Sequence, residues 1–420
     1  MSALRSVPLG AVCLLFAARL IAAPYEPPVT APAPLQEAVR SVWADSPQVR
    51  SARADLDAAR ARARAADQPI YNPSVSLEAE NADVDRRTAG LSLTLDMSGK
   101  RRARAAFGTA EVQVSEASFE FNRRDIAARW LKAWSTAALA TRQKDLGERR
   151  LGLMRRFDEL AAQRLKLGDI SSTERDLAGL ALGEALVQQA SLIGSQAMAR
   201  AALRAITGEQ VGALPDLPDA LPQAAARMPP VAANELPELI EARARLASAD
   251  ARVEVARRAR VPDPTVSLTG GQVRTGPITD RVIGLNVSIP LPVLNSGRAD
   301  VDAAWADADA AAAGVRARER SLQAAQEEVA ERYSALRDAA TAFRNGRAAA
   351  FEERTALLEK LWRAGELSTS DYFVQLKQSL DTALSGVELE SQTWQAWFDY
   401  LTAAGRLTDW IDGGAKEASP

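Results

Sequence analysis

The 420-residue chain contains no histidine and a single cysteine, Cys13. Without imidazole there is no Ser-His-Asp or Cys-His triad, no histidine metal ligand and no imidazole proton transfer near neutral pH. One thiol excludes an internal disulfide and a Cys-rich zinc centre. Aromatic residues are scarce, 5% against 47% hydrophobic in all, so small and aliphatic side chains carry most of the apolar mass. These suit long, closely approaching helices better than a sheet-based enzyme core. An excess of one charge is missing too: 52 Lys and Arg offset 54 Asp and Glu, leaving −2, which gives no electrostatic reason to expect nucleic acid. With no Gly-rich phosphate loop, nucleophile motif or ligand cluster, the chain is read as a non-enzyme with no cofactor and no resident metal. Beyond the first two dozen residues no uninterrupted apolar stretch reaches membrane-spanning length. A membrane crossing would therefore need β-strands.

Residues 1–23 have the pattern of an export signal: Arg5, an apolar run from Leu9 to Ala18 that contains Cys13, and small residues at Ala22-Ala23. An ordinary N-terminal helix is the alternative. A Pro-rich stretch from Pro24 to Pro34 follows. Cys13 follows Val12 rather than a small residue, unlike a lipoprotein acceptor.

The remainder states one plan twice. The first copy, 24–207, opens with a helical pattern from about Leu35 to Ala66. Asn72-Pro73 interrupts it, then strands follow at about 74–80 and 91–97, then a helical hairpin over 100–207. A Pro- and Ala-rich connector, 208–235, leads to the second copy, 236–406. Its strands lie at about 265–270 and 282–289 and its helical hairpin at 298–406, leaving a tail at 407–420. Strand expectations rest on alternation: Val75, Leu77 and Ala79; Leu91, Leu93 and Leu95; Ile283, Leu285, Val287 and Ile289, each separated by polar or small residues. That pattern fits a wall with lipid outside and water inside, and equally a half-buried hairpin of a soluble domain. Lys100 to Leu167 holds no proline and as one helix would extend about 100 Å. Leu146, Leu153, Phe157, Leu160, Arg164 and Leu167 follow coiled-coil spacing, and Phe373, Leu376, Leu380, Ala383 and Val387 repeat it. Trp130, Trp134, Trp394 and Trp397 are expected in helix packing. Four strands cannot close a membrane barrel, whose known minimum is eight, so strands that span a membrane must be pooled between chains.

The ordered pieces that occur twice are Asn72-Pro73-Ser74-Val75-Ser76-Leu77, Leu95-Asp96-Met97-Ser98-Gly99-Lys100 and Leu165-Lys166-Leu167-Gly168-Asp169-Ile170-Ser171, then Ile289-Pro290-Leu291-Pro292, Asn295-Ser296-Gly297 and Ala364-Gly365-Glu366-Leu367-Ser368. The set resembles the TolC-like outer membrane factor family, most of all its cobalt-zinc-cadmium resistance type. The fold class this resemblance implies is mainly α with a β-barrel contribution: two tandem repeats of helix, β-hairpin and long helical hairpin, trimerising into a twelve-stranded barrel and an α-helical tunnel. It further implies an outer-membrane homotrimer in contact with lipid. Its implied partners are a periplasmic adaptor (membrane fusion protein) and an inner-membrane pump of RND type, and its cargo heavy-metal cations. The alternative is a periplasmic coiled-coil adaptor or scaffold without a pore, for which one hairpin flanked by β-rich domains is expected.

The resemblance places adaptor docking at Arg164, Leu165, Leu167, Gly168 and Asp169 and at Trp362, Arg363, Gly365, Glu366 and Leu367; helix capping alone also explains both glycines. Glu174 and Asp371, each six residues past a tip glycine, are its candidate lumen gate, where a ring of carboxylates would draw cations; a solvated helix face is the other reading. Leu367 stands where the family carries a basic residue, and Arg363 is the candidate substitute for it in a closed-state latch.

Overall fold

The computed structural model describes residues 30–81, 83–208, 214–346 and 351–413. The expected export signal, and with it Cys13, lies outside them. Helices α1 (Ala33–Asp45) and α2 (Pro47–Ala66) lead to strands β1 (Ser74–Glu80) and β2 (Val84–Thr94), then to α3 (Lys100–Leu167) and α4 (Ser172–Thr207). After two single 3-10 turns come α5 (Pro237–Ala259), β3 (Thr265–Thr275), β4 (Ile278–Ser288), α6 (Arg298–Asn345), α7 (Phe351–Arg363), α8 (Thr369–Ala403) and α9 (Leu407–Asp412).

The starts of the long helices are fixed by side chains. Asp96 accepts the N–H groups of Lys100 and Arg101, both at 2.8 Å, satisfying two donors that a helix start leaves free. In the second copy Asn295 accepts the N–H of Gly297 at 2.9 Å. With no proline to interrupt it, α3 runs for 68 residues. In the hairpin read at 298–406 the counterpart helix does not run unbroken to the tip at Gly365: α6 stops at Asn345, with Gly346 extended, and α7 is a separate helix. Asn345-Gly346 is a turn-forming pair, and it outweighs the helical pattern on either side.

The coiled-coil stripe read from the sequence also needs correction. Toward the C-terminal end of α3, from Leu146 on, the buried positions are Gly147, Arg150, Leu151, Met154, Phe157 and Ala161, so of the stripe expected there only Phe157 is buried. The cause is that α3 packs against α4 and α8 at once, which places its seam between two stripes. Arg150 lies in that seam and bonds Gln188 on α4 and, at 2.8 Å, Asp381 on α8.

Among the described residues one helix, α4, reaches the length and mean hydropathy of a membrane span, although Glu184, Gln188 and Gln189 interrupt its apolar run. Its buried residues Ala178, Ala181, Ala185, Gln189, Gln196, Ala199 and Leu203 recur at steps of three, four and seven residues. That is the periodicity of a helix laid on a neighbour, and Gln196 bonds Thr141 of α3 at 3.0 Å. The opposite face of α4 leaves Leu180, Val187 and Met198 exposed.

The main core is a belt around the middle of the helices. Trp130, Trp134, Trp394, Trp397, Phe398 and Trp410 meet there with α1 and α9, so residues 407–412 are part of the belt rather than a loose tail. The connector is bound to the belt through its carbonyls: Trp134 donates to Pro215 at 2.9 Å, Tyr400 to Met228 at 2.8 Å and Arg337 to Pro222 at 3.0 Å. Burial pushes the Tyr333 phenol well above its ordinary range.

The four strands form one antiparallel sheet in the order β1-β2-β3-β4. The pairing β2–β3 joins the two copies, from Val84↔Thr275 to Thr94↔Thr265. Three of the strands have 11 residues, the length that crosses a bilayer when tilted. Toward the hairpin ends they reach beyond the spans read from alternation, because pairing continues where charged residues such as Arg86, Arg87 and Arg281 break the apolar pattern. At the other end β2 stops at Thr94 and β4 at Ser288, short of the read limits of 97 and 289.

Candidate channel wall and hairpin tips

Opposite residues of an antiparallel sheet share a face, so the register sorts the wall. One face carries rungs Leu93–Val266–Val287, Val75–Leu91–Leu268–Leu285 and Leu77–Ala89–Gly270–Ile283. The other carries Ser74–Ser92–Ser267–Asn286 and Ser76–Gly90–Thr269–Gly284. The hydroxyls on this second face bond one another, Ser74 to Ser92 at 2.6 Å and Thr94 to Thr265 at 2.8 Å. The apolar face is bare: Leu77 is 83% exposed, Ile283 86% and Leu285 72%. Each such side chain gains about 1.5–3 kcal/mol on leaving water. In the described chain β1 and β4 each pair on one side alone. In hydrocarbon each unpaired backbone group costs several kcal/mol.

Beneath the wall, sequence reasoning missed a buried knot. Asp263 accepts from Lys100 Nζ and from Tyr71 Oη, both at 2.8 Å. Its carboxylate is almost fully buried and its Oδ1 has no partner. Bonding to Asp263 raises the Tyr71 phenol above its ordinary range. The one signal available was Asp263-Pro264, the equivalent of Asn72-Pro73.

At the far end of the helices the two tips are built alike. Gly168 at φ +81° and Gly365 at φ +79° take the left-handed conformation. Gly168 N–H bonds Leu165 O at 3.0 Å and Asp169 N–H bonds Arg164 O at 2.9 Å; Gly365 and Glu366 repeat this to Trp362 and Leu361. These are Schellman ends. Each following helix is capped from its third residue. Glu174 N–H donates to Ser171 Oγ at 3.2 Å and its carboxylate accepts the Ser171 N–H at 2.9 Å. Asp371 N–H donates to Ser368 Oγ at 3.1 Å, and that hydroxyl bonds the Asp371 carboxylate at 2.7 Å. The Ser171 N–H and hydroxyl hold the Glu174 carboxyl below its ordinary range. Both gate candidates are thus tied to their own helix starts.

The docking candidates divide. Leu165, Leu167, Gly168, Asp169, Arg363, Gly365 and Glu366 are exposed, and Leu367 is half-buried. Trp362 is 1% exposed, which corrects its reading as a docking surface. It stacks on Tyr372 with centroids 4.8 Å apart and meets Phe157 at 5.4 Å. Burial pushes the Tyr372 phenol up to about 12. Arg164 lies 4.7 Å over the Trp362 ring and donates to its carbonyl at 3.2 Å, so it links the tips. Arg363 bonds Glu359 one turn back at 2.5 Å. Among the described residues no group of three or more acidic residues is placed to hold a metal ion.

The sequence profile of the outer membrane efflux protein family matches residues 38–209 and again 228–406. The chain belongs to that family. It is 27% identical over 243 residues to the cobalt-zinc-cadmium resistance protein CzcC of Cupriavidus metallidurans, covering 56% of this chain and 57% of that one. The nickel-cobalt-cadmium resistance protein NccC of Alcaligenes xylosoxydans xylosoxydans is 28% identical over 320 residues, 72% of this chain and 69% of that one. The crystal structure of the Campylobacter jejuni CmeC outer membrane channel superposes with a TM-score of 0.72 at 15% identity, over 92% of this chain and 87% of that one. The TolC-like reading of the sequence stands, and the family is one of channels rather than enzymes.

Proposed function

We propose that three copies of this chain pool their sheets into a twelve-stranded outer-membrane barrel, continued by their helices as a periplasmic tunnel, through which metal cations leave the cell. The observation that carries this is the wall itself: one apolar face, one hydroxyl-lined face and two open edges on a sheet too small to close. Two copies reach the minimum of eight strands; three is the number the family resemblance implies. A lumen lined by Ser, Thr and Asn offers hydrated cations many weak contacts and no tight site, which is what conduction requires. Metal cargo is supported by the relatives' names, CzcC and NccC. In this reading selection belongs to an RND-type pump, and an adaptor docks at the exposed tip residues Leu165, Leu167, Asp169, Arg363, Glu366 and Leu367. Glu174 and Asp371 would form carboxylate rings where three copies converge. Two helical hairpins, each following a β-hairpin of one shared sheet, argue against the adaptor alternative.

The test is conductance in planar bilayers. Purified protein should give discrete cation-permeable channels, and Glu174→Ala with Asp371→Ala should shift their cation selectivity. Absence of channels rejects the pore; unchanged conductance and selectivity reject the gate.

A further inference from the structure

The chain contains its own template for how one copy joins the next. Asn72-Pro73-Ser74-Val75-Ser76-Leu77 corresponds to Asp263-Pro264-Thr265-Val266-Ser267-Leu268, so β1 matches β3. The two hairpin ladders fix the other correspondence. Ser74 faces Ser92 in the first hairpin and Thr265 faces Ser288 in the second, so Ser92 matches Ser288. The β2–β3 pairing is then the within-chain version of a contact between β4 of one copy and β1 of another.

We infer that β4 pairs with β1 of a second copy of this chain in the register that sets Ser288 opposite Ser76. The inference rests on the channel reading above and adds to it which residues meet. Ser92↔Ser267, Leu91↔Leu268, Leu93↔Val266 and Gly90↔Thr269 become Ser288↔Ser76, Val287↔Leu77, Ile289↔Val75 and Asn286↔Glu78. Apolar residues meet on the exposed apolar face and polar ones on the hydroxyl face, so both faces of the wall continue across the seam. A slip by one residue would put Val287 opposite Ser76 and break both.

The backbone agrees. In the template Leu95 N–H donates to Pro264 O at 2.9 Å. Hydrogen-bonding positions alternate along an antiparallel strand, so Leu93 and Leu91 direct their N–H groups the same way. Their equivalents are Leu291, Ile289 and Val287, all with an N–H to give. Pro290 and Pro292, which have none, fall between them at positions that owe the seam no donor. Ser288 and Ser76 then form a non-hydrogen-bonded pair with Cα atoms about 4.5 Å apart, inside the range a disulfide bridges.

The experiment places Ser76→Cys and Ser288→Cys in one chain, expressed full-length in outer membranes and oxidised with copper phenanthroline. Denaturing, non-reducing gels should show covalent dimer and trimer. Yields should be at least tenfold above two controls in neighbouring registers, Ser74→Cys with Ser288→Cys and Glu78→Cys with Ser288→Cys. Each single variant and the parent chain with Cys13 should stay monomeric on the gel. Preference for either control pair overturns the register. No cross-link in any pair, while the detergent-extracted protein has the mass of three chains, overturns the β4–β1 seam and leaves the channel reading intact. A single-chain mass overturns both.

Discussion

The two ends of this chain treat apolar residues in opposite ways. At the tips the large aromatic side chains are packed inside one chain: Phe157, Trp362 and Tyr372 are buried together with Leu376 and Leu380, with Arg164 laid over the indole. At the sheet, Leu77, Leu285 and Ile283 are as exposed as surface residues, and both strand edges are open. The tip end closes its aromatic core within one copy; in the proposed assembly the sheet end takes lipid on its face and further copies at its edges. Folding and assembly are therefore separable, and substitutions at the two ends should fail differently.

The sharpest break of that contrast is Trp362→Ala. Removing a fully buried indole from a packed aromatic cluster costs about 3–5 kcal/mol, so the thermal unfolding midpoint followed by circular dichroism should drop. Leu285→Ser at the other end should leave that midpoint within error in detergent and instead reduce the fraction recovered in the outer membrane.

Asp263→Ala is the next largest. It strands the buried ammonium of Lys100, for which breaking a buried pair costs about 3–5 kcal/mol when burial is complete, less here because Lys100 is 17% exposed. Asn72→Ala, the equivalent position in the first copy, has no such partner and should shift the midpoint little. Equal shifts would show that the knot does not distinguish the copies.

Gly168→Ala and Gly365→Ala each force a Cβ into a left-handed turn, at about 1–2 kcal/mol. Hydrogen exchange should quicken around the affected tip, while sheet amides stay as protected as before.

The smallest expected effect is that of pH on α4. Because the folded Glu174 carboxyl is held below its ordinary range, its cap contributes fully above the unfolded glutamate value. The contribution is lost as pH falls through the lower folded value. Amide exchange at Thr173–Arg175, corrected for intrinsic rates, should rise on acidification below about pH 4, and Glu174→Gln should remove most of that dependence.

What the sequence made legible follows from what repeats locally. Alternation at Val75-Leu77 and Leu91-Leu93-Leu95 gave the outward face, and glycine between two helical runs gave both tips. The misread features depend on neighbours that sequence spacing does not show. The α3 seam through Gly147 and Arg150 exists because two helices press on α3 at once. Trp362 looked like a docking residue beside a turn because nothing local shows Phe157 and Tyr372 closing over it. Asp263 was not singled out, since its partners Tyr71 and Lys100 come from the other copy. The Asn345-Gly346 break was readable and was outweighed by the strong helical pattern on both sides.

The central claim is that one copy cannot complete the wall. Native mass spectrometry of the protein extracted from membranes in mild detergent tests it most directly. Three chain masses in a single detergent-bound particle is the expected result; one chain mass, stable without detergent, would contradict the account.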